Sequence, residues 1–127
     1  MSSFSDYLED AVLDHVFNNT ALTSPTTVYL ALFTVAPTDA GGGTEVSGSG
    51  YARQATAFGA SSGGAIANTA AESFTASGGN FGNVVAVGIF DAVSGGNMLA
   101  WDNITSATVN DGDTINFAIG AIDITLT

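Results

Sequence analysis

Two hydrophobic rhythms run along this chain, and the change from one to the other comes early. Near the N-terminus Leu8, Val12 and Val16 recur every four residues with Phe4 ahead of them, while Asp6, Asp10 and Asp14 repeat on another face. That spacing predicts an amphipathic helix over about residues 5–18. Ser5 is placed to cap it, its hydroxyl taking a first-turn amide. Asp6, Glu9 and Asp10 put negative charge at the positive end of its dipole, and Asn18-Asn19 can turn left-handed and stop it. A helix this short is marginal alone, so its apolar stripe is expected to hold it to the rest of the chain.

From residue 26 the period falls to two. Residues 26–34 place Val28, Leu30 and Leu32 on one side and Tyr29, Ala31 and Phe33 on the other. With both faces apolar, this strand is expected in the middle of the core, between a second sheet and the helix. Pro37, which has no amide to donate to a ladder, ends it. Shorter strands are predicted over 51–58, 65–68, 72–76, 83–90, 97–102, 105–109, 114–118 and 121–126, with Ile122, Ile124 and Leu126 facing inward in the last. Gly95-Gly96 supply the positive φ for a hairpin loop over 91–96, and Asn110-Asp111-Gly112-Asp113 is a strong turn signal. Residues 39–50 are too rich in Gly for regular structure and are expected to become ordered only against a partner. Eight or so short strands between Gly and Asn turns predict a mainly β chain. The expected fold is an antiparallel, jelly-roll-like β-sandwich over about 26–127, with one N-terminal α-helix, in a single domain 1–127.

Charge narrows the functional classes. Only 10% of the 127 residues are charged, twelve of them acids, and Arg53 is the sole strong base, so the formal net charge is -11. A nucleic-acid backbone or an anionic membrane needs a basic patch that one Arg cannot make. No run of about 18 apolar residues could span a bilayer, and the acidic start lacks the basic region of a signal peptide. Cysteine is absent, which excludes disulfides and thiolate metal sites.

Few residues suggest chemistry. Gly59-Ala60-Ser61-Ser62-Gly63 matches the G-x-S-x-G string of a nucleophile elbow, but no helix pattern follows it and the lone His15 lies upstream. In a chain full of Gly and Ser the string is read as accidental, which leaves a hydrolase-like enzyme the least supported class. Asp111-Gly112-Asp113 lacks the distal Glu of a calcium loop and is read as a turn. His15 has no second His with which to share a metal. No cofactor and no metal are expected. Arg53 has two readings: an ion pair within the chain, perhaps to Glu45, or a fork that crosses to a neighbouring chain.

Two long segments carry a resemblance. VYLALFTVAPTDAGGGTEVSGSGYARQATAFG (28–59) and VGIFDAVSGGNMLAWDNITSATVNDGDTINFAIGAIDITL (87–126), together with YLEDAVLDHVF (7–17), resemble small virion proteins of tailed bacteriophages. These are commonly labelled tail-fibre or minor structural and decoration proteins. The resemblance implies a building block of a virus particle, made in the host cytoplasm, with no catalytic motif. The favoured expectation is a capsid decoration or cement protein on the outer surface. Its expected partners are the major capsid protein and copies of itself, as a homo-oligomer. A tail-fibre or receptor-binding module contacting tail proteins and the host surface is the alternative. Expected contact regions are the helix, the 39–50 loop and the 91–96 tip. Candidate interface residues are Phe4, His15, Glu45, Tyr51, Arg53 and Ser94.

Overall fold

A computed structural model describes residues 3–126. Strand β1 (Ser3–Phe4) leads into helix α1 (Asp6–Phe17), and the chain then continues as β2 (Val28–Val35), β3 (Thr44–Glu45), β4 (Gln54–Thr56), β5 (Ala65–Ala67), β6 (Glu72–Thr75), β7 (Gly82–Phe90), β8 (Met98–Val109), β9 (Thr114–Phe117) and β10 (Asp123–Thr125). The main sheet runs β1-β8-β7-β2, and the other edge of β2 is shared by β4 at its start and β3 at its end. Two small antiparallel pairs, β5 with β10 and β6 with β9, face it. The result is the expected mainly β, sandwich-like fold with one helix.

In β2 the core lies where the period-two pattern puts it, whereas in β7 the register shift between Val84 and Ala86 brings Val84, not Val85, to the side of Val87 and Ile89. Leu30 and Leu32 of β2 and Val84, Val87 and Ile89 of β7 pack against Phe74, Phe81, Val109 and Ile122. Leu30 and Leu32 are fully buried, which contributes about 1.5–3 kcal/mol for each side chain. Asn68, itself buried, ties the small pairs together: its side chain donates to the Ala70 and Ala118 carbonyls and accepts the Ile122 amide. The strands expected over 97–102 and 105–109 are a single strand, β8. A register shift between the Val84–Ala107 and Ala86–Asn103 pairs sets Val85 opposite Ile104, Thr105 and Ser106 without breaking the ladder.

The second face of β2 departs from expectation. Ala31 and Phe33 are buried there beside Ala86, with Ala36 and Phe90 packed against them. The helix is not their cover, because it packs against β8 and β1 instead. Phe33 and Phe90 stack at 6.2 Å over Gly88, where a Cβ would stand 3.0 Å from the Phe33 ring. Only glycine leaves room for this pair.

The helix itself corrects a second expectation. Its bounds and caps follow the sequence: the Ser5 hydroxyl accepts the Leu8 amide at 3.2 Å, and Asn19 is left-handed at φ 52. Yet no helix residue is fully buried, and Val16 of the apolar stripe is 61% exposed. The N-terminal turn carries the attachment. Ser5 donates its amide to the Leu99 carbonyl and its hydroxyl to the Met98 carbonyl, and the Asp6 amide donates to the Asp39 carbonyl. Hydrogen bonds at one end, rather than an apolar seam along the length, hold α1 in place.

The 39–50 loop is also tied down by its own chain. Thr38 and Gly41 close a turn, β3 pairs with the end of β2, and the Val46 amide donates to the Leu32 carbonyl. Glycines at positive φ allow those tight reversals, so the composition that suggested disorder here permits order without a partner.

Candidate interaction site

Residues 45–53 build a polar clamp beside the core. The expected strand over 51–58 shortens to β4 because Tyr51 leaves the ladder and turns its ring inward. The ring stacks on Phe74 at 6.0 Å and meets the edge of Phe81 at 5.8 Å. Its hydroxyl then sits in the gap between β3 and β4, where β2 has no strand partner, and accepts the Leu32 amide at 3.0 Å. The same hydroxyl donates to Glu45 Oε2 at 2.6 Å. A phenol thus replaces a missing backbone acceptor in the middle of a sheet edge.

Arg53 completes the clamp. Nε donates to Glu45 Oε2 and Nη2 to Glu45 Oε1, both at 2.9 Å, while Nη1 donates to the carbonyls of Ala92 at 2.9 Å and Gly95 at 2.8 Å. The guanidinium also lies 3.7 Å from the centre of the Phe90 ring. A bidentate fork, two tip carbonyls and an aromatic face together use nearly all that arginine offers. The side chain is 7% exposed and that of Glu45 26%. Burial alone would raise the Glu45 carboxyl, but the hydrogen bonds from Arg53 and Tyr51 and the guanidinium charge outweigh it and hold the group below its ordinary value. Burial, reinforced by the Glu45 carboxylate, pushes the Tyr51 phenol far above its own. Of the two readings of Arg53, the geometry contains the pair within the chain, with Glu45 as the acid.

The clamp fixes the 91–96 tip. Asp91 receives the Asn97 amide at 2.7 Å and its side-chain amide at 2.9 Å. Gly96 at φ 71 lets the chain pass where a Cβ would meet Asp91 Oδ1 at 2.5 Å. Ser94 and Val93 stand exposed at the summit. His15 is exposed on the helix, with Nδ1 receiving the Leu22 amide at 3.2 Å. The structure therefore gathers Glu45, Tyr51 and Arg53, sets Ser94 on the loop they brace, and leaves His15 on the helix. The other tested strings read as expected. A turn and then β5, not a helix, follow Ser61. Asp111 and Asp113 accept the amides of Gly78 and Asn110.

Phe4 belongs to a different feature, an open apolar cleft of about 760 Å³. Phe4 and Leu8 form one wall; Phe58, Ile66 and Ile124 form the other; Val28 and Leu99 lie between. All seven are only half-buried. Among the described residues that line it, none is charged. This cleft also explains the last strand: Ile122 is buried as expected, whereas Leu126 lines the cleft and is 56% exposed. Sequence reasoning missed the cleft, although the alternation Ile122, Ile124, Leu126 carried half of the signal. It showed an apolar face without showing that nothing would cover its end.

The arrangement offers shape, apolar area and a braced tip. The family profile described as Podophage GP4 fiber I protein gp80 matches residues 3–125. No curated protein matches the chain.

Proposed function

The chain belongs to the family described as Podophage GP4 fiber I protein gp80, and on that premise we propose that it is a fibre component at the tail of the particle, joined to neighbouring virion proteins by apolar contact. A structural protein of a bacteriophage particle is what membership implies. The observation that carries the finer reading is the extent of the match. It spans helix, clamp and cleft together, so the fibre description applies to the whole fold and not to an appendage.

The outer-capsid role expected from the resemblance has no counterpart in that description, and the acidity of the chain serves a fibre equally well. A non-enzymatic role is supported by the engagement of Arg53 in structural contacts and by the absence of a helix behind Ser61. Purified particles labelled with antibody against this chain test the reading, with copies counted by quantitative mass spectrometry. Label at the tail with a small copy number is the expected result; hundreds of copies over the head would overturn it in favour of decoration.

A further inference from the structure

We propose that the cleft between Phe4–Leu8 and the β5–β10 pair receives an apolar segment flanked by lysine or arginine from another virion protein. The proposal rests on the fibre reading and adds the chemistry of the partner. A cleft of about 760 Å³ could hold a small molecule, but such sites orient their ligands with convergent polar groups. Here the side-chain hydroxyls are few, and that of Thr56 already donates to the Gln54 carbonyl at 3.2 Å. The occupant must gain mainly from apolar contact.

Charge then selects among apolar partners. Each copy of this chain carries -11 with a single strong base, and that base is 7% exposed and bound to Glu45 and the 91–96 tip. A second copy would bring like charge and no accessible guanidinium, so its approach is opposed. Meanwhile Asp6, Glu9 and Asp10 stand exposed on the helix that supplies Leu8 to the cleft wall. An apolar plug with basic flanks complements both features, filling the cleft and meeting the acids exposed on the helix beside it.

The test uses intact particles. Leu126→p-benzoylphenylalanine and Thr27→p-benzoylphenylalanine place photocrosslinkers at two exposed cleft positions, and Val93→p-benzoylphenylalanine serves as a control outside the cleft. After irradiation, both cleft probes are expected to mark the same apolar peptide of another virion protein, with Lys or Arg on its flanks, at several times the yield at Val93. A crosslink to a second copy, a crosslink to an acidic or uncharged segment, or no crosslink from chain present in the particle would overturn the proposal. Absence of the unaltered chain from purified particles would instead overturn the fibre reading. A measurement without substitution guards against probes that fail to fold. Raising salt from about 0.15 to about 1 M, where the screening length falls from ~8 to ~3 Å, should increase release of the unaltered chain from particles several-fold. Tighter retention at high salt would mean that apolar contact alone holds it.

Discussion

The Arg53 clamp and the apolar cleft lie at two ends of one short strand and are built on opposite principles. β4 begins one residue after Arg53, and its Ala55 and Thr56 line the cleft. In the clamp nearly all the hydrogen-bonding directions of Arg53 are answered from within the chain: Glu45 holds Tyr51 and Arg53, and Arg53 holds the tip. In the cleft seven large side chains remain half-covered and no charge is present among those that line it. A chain with one strong base uses it for its own architecture, because a buried guanidinium without its partners would be costly. The proposed recognition then starts from apolar area, with the net charge of -11 selecting a partner that carries basic flanks.

The contrast breaks first at Arg53. Arg53→Ala removes the fork, frees the two tip carbonyls and leaves Glu45 half-buried and unpaired; it should cost about 2–4 kcal/mol in urea unfolding. Arg53→Lys should recover only part, since an ammonium cannot reproduce the fork. A loss below ~1 kcal/mol for the alanine variant would show that the tip does not depend on the clamp.

Acid sharpens the comparison at a smaller scale. The Glu45 carboxyl is lowered on folding, so its contribution is fully present above the unfolded value of about 4.3 and is lost as pH falls through the lower folded value. Glu72, raised by burial, works in the opposite sense, and it is common to both proteins being compared. As pH falls below about 5 the unaltered protein should lose more stability than Glu45→Gln. Parallel profiles would mean that the carboxylate adds nothing.

The smallest effect belongs to the cleft. Leu126 is 56% exposed, and Leu126→Ser should change the unfolding free energy by less than ~0.5 kcal/mol. A loss above ~1 kcal/mol in thermal or urea unfolding would make this wall part of the core and not a surface held open.

Much of the architecture was legible because it is local. The helix bounds follow from Ser5, the first-turn acids and Asn18-Asn19; β2 and β7 follow from alternation; the 91–96 and 110–113 turns follow from their glycines. Reading failed where one signal had two outcomes. The stripe Leu8, Val12, Val16 promised a buried seam, but the attachment runs through Ser5 and Asp6, leaving Val16 largely in solvent. The glycines of 39–50 promised freedom and instead enabled turns that anchor β3. Of the six candidate interface residues, three meet in one cluster and Phe4 lines the cleft. That Arg53 could pair with an acid was legible from charge, but which of the twelve acids it would take was not.

By itself, then, the amino-acid sequence determined the helix and its caps, the central two-faced strand, the turns and the strongly negative net charge. Each depends on residues within a few positions of one another or on composition. Tertiary structure alone decided that Arg53 would reach Ala92, 39 positions away, and that Tyr51 would fill a gap in the edge of β2. It also decided that Phe4 and Ile124 would face each other across an open cleft. Those outcomes depend on how strands distant in sequence settle on one another, and the side chains a completed packing leaves uncovered carry no local mark.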